Sequence, residues 1–525
     1  MATGEGLGLG QRVHWAGNPH RIGTVKFVGA VAGYDGEFVG VDWDAGDGKH
    51  DGALDGVRYF QTKSAKSGSF VRPHNLSRGI AFLEALHLRY RSQSNPEDAD
   101  DMYVLSASNR RVPVELIGEE KIMDKFRQLE ELKVVSLVYQ GVSSFDDPSH
   151  LSSIIPNTEE LDLTGNLLYD WKDVWTFCKQ LPALVALNLS CNLMGEDIAH
   201  MPQLNKLRIL VLNYTGICWA QVDILKQSLP SLEELHLMGN NISEIEPVPS
   251  CHTEGFSSLR LLNLDNNSIS DWEQIMKFSQ LESLEQIYLN NNNLKLICYP
   301  CVDNTNEYSI PFPSLRCLLL GNNCIQDLDS IGALNPFPKL VEVRLSENPI
   351  TDVTRGGLPR FSLVAQLPKI QTLNGSEVSA RERKESELRY VRLIMSKEAN
   401  NGGVERSHPR FNELKVLHGI EDEKPSVAVS YQKGMASGLL SVTLKCVGAS
   451  IGEKPPQSKK LPGSTTVGKL KFLCESFFGL KSRKPKLFLE EEGSPFPIPL
   501  DDDRASLVDM GIGNGSIILV DEEHR

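Results

Sequence analysis

Leu232-Glu-Glu-Leu235-His-Leu237-Met-Gly-Asn240-Asn-Ile242 sets a spacing that recurs throughout residues 130–375. Leu184, Leu187, Leu189, Asn192 and Met194 repeat it. So do Leu262, Leu264 and Asn267, then Ile287, Leu289 and Asn292. Leu318, Leu320 and Asn323 follow, then Val343, Leu345 and Asn348. The last leucine of each copy falls at 137, 163, 189, 212, 237, 264, 289, 320 and 345, nine units at intervals of 23–31 residues. Two apolar residues flanking one variable position predict a short parallel strand with both apolar side chains turned inward. The recurring Asn predicts a bend after the strand, its amide bonding the backbone of the neighbouring turn. A single unit cannot bury its own apolar face, so the units must stack on a shared core.

This pattern resembles the leucine-rich-repeat family and implies an α/β solenoid over residues 130–399, closed by a C-terminal cap. Gln140 and Thr215 stand where the first and fourth units should carry Asn, so the first is expected to be irregular and close to a cap. The longest interval marks an insertion around residues 299–308. Residues 370–383 resemble the cap of such arrays, and 376–399 read as a charged helix with Leu388, Val391 and Met395 on one stripe. The variable strand positions are Ser136, Asp162, Asn188, Val211, His236, Asn263, Tyr288, Leu319 and Arg344. They should line a concave face, and their mixed chemistry suits protein binding better than catalysis.

The N-terminal segment is different. Short β-type runs at 24–28 and 38–41 alternate with glycines, which predicts a small, strongly bent sheet with Gly at turns and close backbone approaches. Gly48-Lys49-His50-Asp51-Gly52 sits among Phe38-Val-Gly-Val-Asp-Trp43, Tyr59-Phe60 and Gly68-Ser-Phe70-Val-Arg72. A glycine-bounded loop around Lys49 would offer backbone N–H groups beside a cation, suitable chemistry for a carboxylate terminus. Phe38, Phe70 and Arg72 would wall a groove, while Trp43 and Phe60 suit the core of so small a module. Over residues 8–76 these motifs resemble CAP-Gly domains, small all-β modules that grip acidic C-terminal tails. The resemblance implies a tail-binding site at Phe38, Gly48, Lys49, His50, Asp51, Gly52, Phe70 and Arg72. His50 replaces the family's usual Asn; its ring can still donate a hydrogen bond, and it adds a pH dependence between about 5.5 and 7.5.

Residues 77–129 read as linker plus N-terminal cap, with a polar, acidic stretch at 92–101. Residues 400–437 read as a hinge and partly structured connector. From 438 to 525 the order strand, strand, helix, strand, strand resembles a ubiquitin-like, α+β domain. Its helix spans 466–478 with Val467, Leu470, Leu473 and Phe477 on the apolar stripe. The C-terminal Asp521-Glu-Glu-His-Arg525 is not a Gly-Gly tail, so this module should bind partners rather than be conjugated to them.

Two motifs are misleading. Gly463-Ser-Thr-Thr-Val-Gly468-Lys469-Leu470 nearly matches a P-loop, but Leu470 stands where a hydroxyl must reach Mg²⁺. Cys298-Tyr-Pro-Cys301 is a C-x-x-C without a second pair at zinc spacing. No catalytic triad, metal cluster or cofactor motif is visible, so no enzyme activity, metal or cofactor is expected.

Composition agrees with a soluble, multidomain chain of 525 residues with net charge −14 and mean hydropathy −0.23. The acidity argues against nucleic-acid binding. The apolar runs are too short for a membrane span, and ten scattered cysteines suggest reduced thiols in the cytoplasm. Residues 1–77 balance eight basic against eight acidic side chains, so an acidic peptide meets less repulsion there.

A CAP-Gly module, a leucine-rich array and a ubiquitin-like module in this order resemble the tubulin-folding cofactor E family. The resemblance implies a cytoplasmic, cytoskeleton-associated chaperone for α-tubulin, holding its acidic tail and its body. It implies work with other tubulin-folding cofactors to assemble or dissociate the α/β heterodimer. The ubiquitin-like module would contact another cofactor or the proteasome and ubiquitin machinery. A microtubule-associated CAP-Gly adaptor and a ubiquitin-pathway shuttle for tubulin are the alternative readings.

Overall fold

The computed structural model describes residues 6–90, 103–105, 111–113, 128–145, 151–198, 201–246, 256–299, 311–352, 355–398, 410–420, 439–447, 455–479, 485–490 and, with short breaks, 497–522. The expected insertion beyond residue 299, Cys301, the 92–101 stretch and most of 400–437 lie outside these residues. The chain forms two compact units, residues 1–325 with 336–347 and residues 326–335 with 348–525.

The first unit opens with an antiparallel sheet. Its strands are β1 (Arg12–Trp15), β2 (Asn18–Val31), β3 (Tyr34–Trp43), β6 (Gly68–Val71) and β7 (Leu76–Ser77), in the order β6-β3-β2-β1-β7. The two-residue strands β4 (Ala53–Leu54) and β5 (Val57–Arg58) pair separately. Register shifts between Val25 and Phe27 and between Ala30 and Val31 bend the long β2–β3 ribbon. At Gly40 any Cβ would fall 2.4 Å from the Phe60 ring, so glycine is required by close approach. Val13, Val25, Val39, Val41, Trp43 and Val71 fill the small core. Arg12 is buried beneath it, bonded to Thr24 Oγ1 at 2.8 Å and paired with Asp44.

Leaving this sheet, Ile80–Ala81 pairs in parallel with Val142–Ser144, and helix Phe82–Tyr90 follows. Phe82, Ala85 and Leu86 are buried, and Phe82 packs on Phe177 with centroids 4.5 Å apart. The Tyr90 hydroxyl accepts from Ser136 N–H at 2.9 Å, closing the exposed edge of the first repeat.

Nine parallel three-residue strands then follow in register among the described residues, from Val134–Ser136 to Glu342–Arg344. Their central residues and the leucines just after them point into the stack and are almost fully buried. The buried asparagines join successive turns. Asn267 Nδ2 donates to Leu237 O and Leu264 O, each at 3.0 Å, while its Oδ1 accepts from Asn240 and Ile242 N–H. The Thr215 hydroxyl lies 3.0 Å from Leu212 O and 3.3 Å from Asn240 Oδ1, so it reaches the following repeat but, unlike the asparagines, offers no donor to the preceding one. Gln140 turns back to Val138 O at 3.2 Å.

In the second unit, helix Arg360–Gln366 and hairpin Thr372–Leu373/Ser376–Glu377 precede helix Ala380–Glu398. The charged helix thus starts later than the sequence suggested, because 376–377 is spent in the hairpin. Its buried face is also broader. Glu387, Tyr390, Val391 and Ile394 are buried, whereas Leu388 and Met395 are half-buried. Within the connector, helix Phe411–Leu417 packs Phe411 and Leu414 against Tyr390, Val391 and Ile394. Glu387 links to it through His418 Nε2 at 2.9 Å and Arg410 at 4.0 Å.

The C-terminal sheet has the order 457–462, 439–446, 517–522, 485–490, 498–499, with its two central strands parallel. The short strand Ile498–Pro499 adds to the expected order. Helix Val467–Phe478 buries Val467, Leu470, Cys474 and Phe478. Leu473 and Phe477 lie at the rim, so the predicted stripe was one position off in the second half. Lys459 stands 4.3 Å over the Phe477 ring, which explains an aromatic residue outside the core.

Candidate functional site

The loop after β3 carries Gly48–Gly52, and three glycines allow it to fold against β6. A Cβ on Gly48 would lie 2.5 Å from Gly68 O, and one on Gly52, at φ +88°, 2.2 Å from Phe60 O. Lys49 N–H and His50 N–H both donate to Gly68 O, at 2.7 and 3.1 Å, and Gly68 N–H returns to His50 O at 2.8 Å. Gly52 N–H donates to His50 Nδ1 at 3.2 Å. The expected set of open backbone donors is therefore smaller than the whole loop. The N–H groups of Lys49, His50 and Gly52 are spent on holding the loop in place, because an unpaired amide beside β6 would be costly. Side chains are what it offers.

Lys49 is exposed. His50 uses Nδ1 as acceptor, so the neutral ring carries its proton on Nε2, the nitrogen left for a ligand. Burial lowers the His50 pKa below its ordinary value, with the Asp51 charge opposing and Lys49 adding to the shift. The lowering shifts the titration of this ring toward acid pH relative to an ordinary histidine. Asp51 turns to Arg58, at 2.6 Å, and that hydrogen bond is the largest cause of its lowered pKa. It braces the loop.

Phe70 is the hub of an aromatic cluster, with ring centroids 4.9 Å from His50, 5.2 Å from Tyr59 and 6.1 Å from Phe27. Phe38 lies under the guanidinium of Arg72, at 3.8 Å, and Arg72 also donates to Glu37 O at 3.3 Å. Phe60 is buried against Phe70, and Trp43 is fully buried. Sequence reasoning passed over Phe27 and Tyr59. The alternation along β2 could have placed Phe27 on this face, and Tyr59 adjoins the singled-out Phe60. Together these residues form a half-buried aromatic floor with a cation, Lys49, at its edge.

The same loop region adjoins the array. The His20 ring lies 4.0 Å from that of Tyr139 in the first repeat, and Arg21 holds Asp47 at 3.0 Å, just before Gly48. Asp44 is close enough to Cys191, in the third repeat, to raise its thiol pKa, although burial is the larger cause.

Residues 9–76 match the CAP-Gly domain model. Over 526 residues the chain is 58% identical to tubulin-folding cofactor E of Arabidopsis thaliana, covering 99% of each. The chain belongs to the tubulin-folding cofactor E family. Tubulin-specific chaperone E of Homo sapiens is 30% identical over 531 residues, covering 98% of each chain. The solved C-terminal ubiquitin-like domain of mouse tubulin-specific chaperone E is 26% identical, covering 18% of this chain and 97% of that one, with TM-score 0.16.

Elsewhere in this cofactor E family member, the near-P-loop is structural. Thr466 caps the helix through Lys469 N–H at 3.3 Å, Leu470 is fully buried, and Gly468 permits close approach to Asp503. Cys298 is a free, exposed thiol. Among the described residues no group of three or more metal-ligating side chains occurs, and no helix is long and apolar enough to cross a membrane.

Proposed function

We propose that this chain is a tubulin-folding chaperone that holds α-tubulin and, with other tubulin-folding cofactors, promotes assembly or dissociation of the α/β heterodimer. The observation that carries this reading is full-length similarity, 58% over 99% of both chains, to a protein named tubulin-folding cofactor E. The work is non-enzymatic and cytoplasmic, done by binding alone.

The acidic tail of α-tubulin sits on the aromatic floor formed by Phe38, His50 and Phe70. Lys49 and Arg72 meet its carboxylates, and Gly48, Asp51 and Gly52 hold the loop in shape. The tubulin body sits on the array, so two modest contacts on one ligand reinforce each other through effective concentration. The ubiquitin-like module docks another cofactor or the degradation machinery.

The test mixes the purified chain with α/β-tubulin and resolves the products by size exclusion. A complex with α-tubulin alone is the expected result. Association only with intact heterodimer or polymer would favour the adaptor reading and overturn this one.

A further inference from the structure

Tyr139 sits at φ +54° in the turn after strand Val134–Ser136 of the first repeat. Gly165, one repeat on, lacks the Cβ that would fall 2.2 Å from the Tyr139 ring. The ring therefore lies along the edge of the array, and its hydroxyl hydrogen-bonds the side chain of Cys191 in the third repeat. Tyr214 crosses Gly239 in the same way to reach Asn266 at 3.1 Å. Tyr214 keeps 47% of its surface exposed, whereas Tyr139 is half-buried, with the His20 ring of the N-terminal module 4.0 Å away.

A second attachment lies where the chain leaves that module. Ile80 N–H donates to Gly141 O at 2.9 Å, and Ile80–Ala81 pairs with Val142–Ser144. A Cβ on Gly79 would fall 2.1 Å from Gly141 O, and one on Gly141 3.0 Å from His14 Nε2, so glycine on both sides lets the backbones meet. This short pairing follows directly on β7, the last strand of the module, and alone it is a pivot. His20 on Tyr139 is a contact away from that pivot, on the β1–β2 hairpin, and it stops the module from swinging. The tail-binding loop is tied to the same side. Arg21, next to His20, holds Asp47 at 3.0 Å, and Asp44, at the start of the loop, pairs with buried Arg12 and lies near Cys191.

We propose that Tyr139 is a positioning residue for tubulin capture: by seating His20 it fixes the direction in which Lys49 and Phe70 are presented relative to the repeats. This rests on the function proposed above, in which one α-tubulin offers its tail to the module and its body to the array. A module free to swing spreads its tail site over a larger volume and lowers the effective concentration of the second contact. A seated module has less orientational freedom left to lose on binding. Tyr139 acts through His20 and not on the ligand, so its loss leaves the separate affinities for tail and body intact.

The experiment uses the full-length chain with intact α/β-tubulin, with tubulin whose acidic tails have been removed by protease, and with an acidic tail peptide. The parent should bind intact tubulin more tightly than the tail-less form. Tyr139→Asn keeps a residue suited to positive φ, as Asn266, Asn291 and Asn322 show in the same row, but is too short to reach His20. It should raise the Kd for intact tubulin about fivefold or more and leave the other two within about twofold. His20→Ala should do the same from the side of the module. The double variant should be no weaker than either single one, since both remove one contact. Tyr139→Phe keeps the ring and should keep the parent's affinity. If the variants bind intact tubulin as tightly as the parent, or weaken tail-less tubulin equally, the inference fails while the proposed function stands. If the parent binds no tubulin in either form, the proposed function fails and this inference with it.

Discussion

The imidazole of His50 lies against the ring of Phe70, centroids 4.9 Å apart and planes tilted by 33°. The contact buries the ring and makes its charged form costly, while Nδ1 is committed to Gly52 N–H. Because the folded pKa lies below the ordinary 6.5, the unfolded chain binds the proton first as pH falls. His50 therefore contributes its full stabilisation above about pH 6.5 and loses it as pH drops from there through the lowered folded value. Thermal melts should show His50→Asn flattening the decline in stability below pH 6.5. An unchanged pH profile in that variant would remove His50 as its source.

Lys49 is a second case where side chain and backbone have separate duties. Its N–H is spent on Gly68 O, and its exposed ammonium remains for a ligand. Lys49→Ala should weaken binding of an acidic tail peptide by roughly 1.5–3 kcal/mol, the scale of a charge-assisted hydrogen bond. The thermal midpoint should barely move, because the backbone bonds stay. Titration calorimetry and a melt together separate lost grip from lost fold.

Gly52 should tolerate no side chain. At φ +88° an L-residue costs about 1–2 kcal/mol, and a Cβ would also press on the Phe60 carbonyl. Gly52→Ala should therefore lower both stability and peptide affinity. Gly33, also at positive φ but with nothing near its missing Cβ, provides the control, because Gly33→Ala carries the dihedral cost alone. Equal melts for the two variants would show that the carbonyl contact is unimportant.

In the array, Asn267 serves two repeats at once, and truncating it leaves the N–H groups of Asn240 and Ile242 without a partner, while Leu237 O keeps Asn240 Nδ2. Asn267→Ala should cost about 2 kcal/mol or more, at about 1–3 kcal/mol for each of the two buried N–H groups left unsatisfied. Thr215→Val removes one hydroxyl, shared between Leu212 O and Asn240 Oδ1, while Asn240 Oδ1 keeps the Thr215 and Gly216 N–H groups, so it should cost about 1 kcal/mol. Denaturant melts reading the array would expose a reversed order.

The array was legible because its period is written in residues that do one thing each. Leucines point inward and asparagines bridge, so nine predicted strands meet nine observed ones among the described residues. The ubiquitin-like domain was legible in order but not in helix phase, because Phe477 looks like core and is instead covered by Lys459. Helix 411–417 was obscured by charge: Arg410 and Glu387 read as surface residues and are in fact buried near each other. At the tail-binding candidate, the glycines and Lys49 stand out locally. The hydrogen bonds to Gly68 and the aromatic neighbours Phe27 and Tyr59 come from tertiary pairing, which no local spacing encodes.

Leu470 tests whether the near-P-loop has any latent function. A working loop needs a hydroxyl here, and Leu470→Thr would write the missing residue into the sequence. In the fold, however, Leu470 is fully buried among Val442, Val467, Leu487 and Ile518, and the preceding glycine faces Asp503 rather than open space. The substitution should therefore destabilise the ubiquitin-like domain by about 2–4 kcal/mol, combining lost apolar volume with a buried hydroxyl. It should create no affinity for ATP or GTP, because an acidic Asp503 beside Gly468 repels phosphate and the loop is already closed by Thr466 and Asp503. Equilibrium dialysis with each nucleotide, with and without Mg²⁺, on the parent and the variant reads this directly. Saturable nucleotide binding by either protein, or hydrolysis in the absence of tubulin, would overturn the assignment of this loop as a helix cap.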